Sequence, residues 1–389
     1  MVPARGPSAY ARAMDLLAHA ERLRPRLAAQ SAEIERTRLL PADLVAELTE
    51  AGFFHLCAPR SVGGSEVAPR ALLEILETLG RGDSATGWCV MVGGTASFLG
   101  AYLGEAGAKE IYGRSPKIAT CGVFAPLGKG VREGDGYRIS GRWPWLSGSM
   151  HSTYRLGGFV VPREGGGVDV LHAFFEAGET RMLDTWHTAG LGGTGSHDME
   201  VEGALVPAHR VVTFLGGSPR ETGPLYRFPA FGLLATGVAA VALGIARDAV
   251  DTFVELARGK RTQGGKRTLA ERETIQMHVA RATALVDAGR AYLHATVDEA
   301  YRVAESARSL EPQHRAALRL AATFATESAQ TAVDLVYRAA GGTAVYNTCK
   351  LQKHLRDVHV ASAHAMVAEP TYALVGRMAL GLETDTAQL

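Results

Sequence analysis

Two stretches of the chain hold the side chains best suited to chemistry. In "GRWPWLSGSMHSTY", Gly141 to Tyr154, Trp143, Trp145, Ser147, Ser149 and His151 crowd into one short segment. Strand alternation places Trp143, Trp145 and Ser147 on a common face. A flat, partly apolar surface with a hydroxyl suits a planar heteroaromatic ring; the alternative is an aromatic strand packed on its own core. In "RDVHVASAHAMVAEPTY", Arg356 to Tyr372, two histidines, His359 and His364, stand with no carboxylate between Asp357 and Glu369. With His354 they recur every five residues. On a helix that spacing turns each about 140° from the last, so the three cannot converge on one metal. A single histidine titrating near neutrality remains a candidate proton acceptor, or a hydrogen-bonded surface residue.

Other matches fall away on context. "GLGGTG", Gly190 to Gly195, satisfies G-x-G-x-x-G, but a dinucleotide loop must open a helix, and "SHDMEVEGALVP" alternates as a strand. It is expected to be a glycine-rich turn. "GKRTQGGKRT" from Gly259 lacks the spacing of a phosphate loop. Neither G-x-S-x-G nor H-E-x-x-H is present, so hydrolase and zincin chemistry have no local support.

Composition bounds the rest. The 389 residues are 47% apolar and 21% charged, with a net charge of +1, enough for a large core and two or three domains. That balance points to no nucleic-acid or acidic-surface partner. Cys57, Cys89, Cys121 and Cys349 have no zinc-site spacing, so reduced thiols in a cytoplasmic protein are expected. The N-terminal stretch is interrupted by charges and has no signal-peptide pattern. Pro229 to Ala246 carries no charge, yet its glycines, proline and threonine suit a bundle centre or oligomer interface better than a membrane span.

The elements that must position these residues fall into three blocks. Residues 1–117 show helical spacing, as in "LLPADLVAELTEAGFFHL", which has a proline near its start and Gly52 near its end. Residues 118–218 hold short β-branched and aromatic runs between Gly-, Pro- and Asp-containing turns, predicting an antiparallel β-domain. Residues 219–389 predict a C-terminal four-helix bundle over roughly 228–257, 269–307, 313–340 and 348–368. The fold class is α+β.

This order, with "LPADLVAELTEAGFFHLCAPRSVGG", "WLS", "DTWHTAGLGGTGSHDMEVEGALVPAHRVV" and "GGTAVYNTCKLQKHLRDVHV", resembles the acyl-CoA dehydrogenase superfamily over nearly the whole chain. The resemblance implies a flavin held between β-domain and bundle, and a homotetramer. Trp145, Leu146 and Ser147 match the segment that contacts the flavin ring, with the hydroxyl near N5. Arg261 matches an arginine that reaches the flavin phosphates of a neighbouring subunit, and Gly341 and Gly342 match paired glycines near the other end of the cofactor. The chain departs from the pattern beside Arg261, where Gly264 follows Gln263 in place of the usual phenylalanine.

A dehydrogenase needs a carboxylate to remove the proton α to a thioester. Laid on the family pattern, Ala365 stands at that position with His364 beside it, and the other position used by relatives falls near Leu234. "WPWLSGSMH", "GTGSHD" and the ending H-x-x-x-x-x-P-T-Y-x-L-V-G-R instead resemble the two-component flavin-dependent monooxygenases, such as p-hydroxyphenylacetate hydroxylase and aromatic polyketide or steroid-ring hydroxylases. That resemblance implies reduced flavin (FADH2 or FMNH2) and O2 as co-substrate, reacting through a flavin C4a-hydroperoxide. It also implies a separate NAD(P)H-dependent flavin reductase and a small aromatic substrate, with His364 orienting or deprotonating a phenol. His151 could line the substrate pocket or cap a turn, and Trp88 and Trp186 could be pocket wall or core. An N- or S-oxygenase of the nitrososynthase kind, and a dehydrogenase with a relocated base, are the alternatives.

Overall fold

The computed structural model describes residues 9–114, 117–261, 266–387 and 389. Five helices come first: α1 (Ala9–Thr37), α2 (Ala42–Ala51), α3 (Pro69–Gly82), α4 (Ser84–Ala96) and α5 (Glu105–Tyr112). Gly52 ends α2 at φ 91, its N–H bonding back to Leu48 and Thr49, a left-handed cap that a side chain would strain. Asp83 caps α4 by accepting from the Thr86 N–H. Helix α4 is apolar on almost every side and buried in the middle of the molecule. It lies tight against α3, since a Cβ at Gly87 would sit 2.7 Å from the Gly80 nitrogen.

One seven-stranded sheet follows, in the order β5-β6-β2-β1-β3-β4-β7. Its strands are β1 (Thr120–Glu133), β2 (Gly136–Trp143), β3 (Tyr154–Pro162), β4 (Val168–Glu176), β5 (Arg181–Leu183), β6 (Asp198–Pro207) and β7 (Val211–Val212). The expectation of a wholly antiparallel domain is corrected at one pair. Strands β1 and β3 run parallel, Thr120 opposite Tyr154 and Cys121 opposite Arg155. The β1–β2 hairpin returns the chain to the start of β1, and residues 144–153 cross there, so β3 departs in the direction of β1. That crossing carries Trp145, Ser147 and His151 to the sheet end nearest α4. Strands β5 and β7 are too short to show alternation, and the sequence does not reveal them.

The last block contains α6 (Ala230–Gly259), α7 (Glu273–Glu305), α8 (Pro312–Ala340), α9 (Lys350–Ser362) and α10 (Pro370–Ala379). Helix α6 is long and apolar enough to cross a membrane by composition, but 78% of its most apolar stretch is buried by the helices around it, α3, α4, α8 and α9. The helix expected over 348–368 ends earlier, at Ser362, and a turn leads to Pro370, which opens α10. Proline has no N–H to leave unpaired and its fixed φ suits a first helical turn, so Pro370 starts a new helix. His364 therefore sits on a turn. One apolar core joins both helical blocks, a second fills the sheet, and Val92 of α4 packs against both.

Candidate active site

The segment around Ser147 is a loop and not a strand, which overturns the shared face of Trp143, Trp145 and Ser147. Trp143 ends β2 inside the sheet core, its Nε1 donating to the Gly158 carbonyl at 2.7 Å. Three glycines make its slot: a Cβ at Gly128, Gly141 or Gly157 would lie 2.4, 2.7 or 2.8 Å from the indole. Trp145, at φ 63, swings to the opposite environment and stays 71% exposed. Positive φ is costly for a bulky residue and persists where the surroundings enforce it. Here they do: Leu146 N–H donates to the His197 carbonyl, Gly148 N–H to Thr194 and the Ser149 hydroxyl to Gly195. The 145–151 loop is thus laced to the "GLGGTG" turn, which forms one 3-10 turn (Gly192–Thr194) before β6, as expected for a glycine-rich turn.

Ser147 is buried at the centre of a directional chain of hydrogen bonds. Trp88 Nε1, on α4, donates to its Oγ at 3.0 Å. Its Oγ also lies 2.7 Å from Ser196 Oγ, which lies 2.7 Å from Thr194 Oγ1, and Thr194 donates to the Leu191 carbonyl at 2.7 Å. A carbonyl only accepts, so the Thr194 proton is committed to it. Ser196 must then donate to Thr194, and Ser147 to Ser196. The order is Trp88 to Ser147 to Ser196 to Thr194 to Leu191, and Ser147 keeps one lone pair as its remaining capacity.

His364 meets the same tryptophan, edge to face at 5.8 Å between ring centres. Trp88 is therefore the wall that joins hydroxyl and imidazole. The Met366 N–H donates to His364 Nδ1 at 3.2 Å. The neutral ring must then carry its proton on Nε2. Burial, followed by the charge of Arg319, pushes the imidazole pKa down to about 4. In its neutral form His364 presents an N–H donor beside Trp88, and burial disfavours its protonated form. Arg319, buried on α8, donates through Nε to the Met366 carbonyl at 3.0 Å and through a terminal nitrogen to Thr371 Oγ1 at 3.4 Å, pinning the turn that holds the histidine.

Asp357, the last carboxylate before His364, ties the site together. It is buried, accepts from the Leu191 N–H at 2.6 Å, from Lys353 Nζ at 2.5 Å and from the Ser84 hydroxyl at the start of α4. Burial raises its pKa, but Lys353 and these donors outweigh burial and hold the carboxyl below its ordinary value. One side chain on α9 thus fixes both α4 and the turn where the serine chain ends. Only a carboxylate four residues from a lysine hinted at it.

The remaining candidates separate. The ring of His151 packs between Phe54, 5.4 Å away, and Gly148, with burial pushing its pKa down to about 4; it makes no capping bond. Trp186 donates to the Leu191 carbonyl at 3.1 Å and braces the glycine turn. His359 bonds Asp334 at 3.0 Å and His354 bonds Asp248 at 2.7 Å, both away from His364. Arg261 is exposed, in a bridge with Thr268, and Gly341 and Gly342 are exposed just past α8, Gly341 at φ 58. Lys260 Nζ donates to the Ala340 carbonyl at 2.6 Å, so Arg261 and the glycine pair share one end of the bundle. Among the described residues no hydrogen bond or ion pair joins that end to Ser147. Gln263 and Gly264 lie outside the described residues.

A helical block, a sheet and a helical bundle meeting at a laced tryptophan–serine loop make an acyl-CoA dehydrogenase-like fold. Residues 18–114 match the acyl-CoA dehydrogenase N-terminal domain and residues 236–369 a C-terminal domain of that name. The chain is 32% identical over 356 residues to an indole-3-acetate monooxygenase from Pseudomonas putida, covering 91% of this chain and 90% of the relative. It is 28% identical to the flavin-dependent monooxygenase oxygenase subunit HsaA of Rhodococcus jostii RHA1, covering 94% and 98%. The solved structure of XiaF from Streptomyces sp. in complex with FADH2 and glycerol superposes with a TM-score of 0.90 at 27% identity, covering 96% and 97%. The chain belongs to the acyl-CoA dehydrogenase family. Within it, these relatives place the chain in the flavin-dependent monooxygenase branch.

Proposed function

We propose that this chain is the oxygenase component of a two-component monooxygenase that hydroxylates a phenolic or other aromatic substrate with O2 and reduced flavin, FADH2 or FMNH2, delivered by a separate NAD(P)H-dependent reductase. The observation that carries it is the pairing of His364 and Ser147 across Trp88, with Ala365 where a dehydrogenase carries its carboxylate.

The residues fit the reduced cofactor. Bound reduced flavin supplies the two electrons that activate O2. Its N5 carries a proton, and Ser147, whose own proton is committed to Ser196, offers a lone pair to such a donor. Trp145 and Leu146 would flank the ring, with Arg261, Gly341 and Gly342 at the phosphate end, Arg261 serving a neighbouring subunit of a homotetramer. Trp88 walls the pocket. His364 Nε2–H donates to the substrate oxygen, holding it in place and stabilising it as it gains negative charge; a phenol ordinarily titrates near 10. His151 supports the Ser147 turn from behind.

Purified protein with a generic flavin reductase, NADH and O2 should hydroxylate members of a panel of phenols, indoles and polycyclic phenols, and consume little NADH alone. Reaction of amines or thioethers without any aromatic product would favour the N- or S-oxygenase. His364→Ala should lower kcat/KM about 10²-fold, while His364→Gln, which keeps a donor near Nε2, should retain most of it. A donor role predicts no activity limb near pH 6.5. It also sets the sign for stability. Between 6.5 and about 4 the unfolded chain takes up a proton that the folded site refuses, so stability falls as pH falls through that window and His364→Gln flattens the slope. A wild-type limb near 6.5 that H364Q abolishes would restore the base.

A further inference from the structure

A cavity of about 540 Å³ opens between α6, the α7–α8 loop and the 214–216 segment, lined in part by Arg227, Arg308 and Arg315. Among the described residues none of these three arginines forms an ion pair, and the buried Nε of Arg315 has no hydrogen-bond partner. Glu305 and Glu311 flank the loop in sequence but pair with none of them. Arg227 donates to the Ala304 carbonyl at 3.3 Å and Arg308 to the Ser306 hydroxyl at 3.0 Å, so these guanidinium groups are held without a counter-charge and favour an anion, most strongly a carboxylate or phosphate. Arg315 lies in the first turn of α8, whose positive end adds to the same field.

The cavity shares a wall with a narrow apolar gap. Phe214, Ala230 and Phe231 line both, and the other walls of the gap include Thr95, Leu99 and Leu234. Thr95 and Leu99 lie beyond Trp88 and Val92 at helical spacing, on the face of α4 and its continuation that carries the site. At 1.5 Å per residue, Trp88 and Leu99 are about 16 Å apart along the axis.

We propose that the arginine-lined cavity binds an anionic terminus of the substrate, so that the preferred substrate is an elongated aromatic, its reacting ring at Trp88 and His364 and an acidic group at the far end. This rests on the assignment of the reacting site above. The narrow gap of stacked side chains (Phe214 and Phe231 edge to face at 5.7 Å) opens to admit the linker.

The test uses ω-(4-hydroxyphenyl)alkanoic acids of increasing chain length, their methyl esters and ω-ammonium analogues, with binding to the full-length protein measured by calorimetry and turnover measured with a reductase. The long acids should bind at least tenfold tighter than their esters, with the advantage growing with length and shrinking in salt. Arg308→Gln with Arg315→Gln should bring the acids down to their esters, and Arg315→Glu should shift preference toward the ammonium series. Equal Kd values for acid and ester in the wild type, or an equal loss for both in the double variant, would overturn the proposal. Intact acid preference without hydroxylation of any probe would instead count against the oxygenase assignment and leave the anion site standing.

Discussion

The two ends of the expected cofactor site are built in opposite ways. At the ring end, Ser147, Trp88, Ser196, Thr194 and Asp357 are buried and each is held by a partner from a distant part of the chain. At the phosphate end, Arg261, Gly341 and Gly342 lie exposed, with Val345 and Tyr346 bare beside the glycines. A site that must fix the direction of single protons is organised within one chain, where low dielectric makes each hydrogen bond count. A site that only has to offer charge and backbone can be left open for a cofactor and a second subunit to complete.

This contrast is broken most severely at Asp357. Asp357→Asn leaves buried Lys353 with Asp83, 3.7 Å away, as its remaining counter-charge and should cost about 2 kcal/mol in urea unfolding. A loss under 1 kcal/mol would mean that the ring end is not held together by this carboxylate.

A smaller effect sharpens the proton order. Trp88→Phe and Ser147→Ala should each weaken binding of reduced flavin, measured anaerobically by fluorescence, and couple in a double-mutant cycle by about 1 kcal/mol. Oxidised flavin, whose N5 accepts and does not donate, should be affected less. Equal effects on both redox forms would reverse the inferred direction of the Ser147 hydrogen bond.

The smallest effect on the folded chain belongs to the other end. Arg261→Gln should alter unfolding by less than about 0.5 kcal/mol, because the residue is exposed, yet weaken flavin binding and raise its salt sensitivity. A large stability loss in the isolated subunit would show that this end is also built from within.

Much of this was written in local pattern. The cap at Gly52, the uncharged run that became α6 and the glycine turn before β6 follow from residue type and near spacing, and Ala365 in place of a carboxylate from the family resemblance. The "WLS" segment and His364 were legible as candidates for the same reason. Their geometry was not. Alternation put Trp143 and Trp145 together, whereas Gly141 on its own strand and Gly128 and Gly157 on neighbouring strands make room for one indole inside, and the laced loop turned the other out. Periodicity carried α9 through His364, whereas Pro370 and Arg319 from another helix hold a turn there.

The sequence by itself therefore determined the order of the blocks, the candidate side chains and the chemistry that is missing, since these depend on composition and on neighbours a few residues apart. Only the tertiary structure decided that Ser147 accepts from Trp88, that a backbone N–H bonds His364 Nδ1 in a buried setting that lowers its pKa, and that Asp357 joins three elements. Hydrogen-bond direction and desolvation are set by what packs around a group, and those partners come from as far as 273 residues away along the chain.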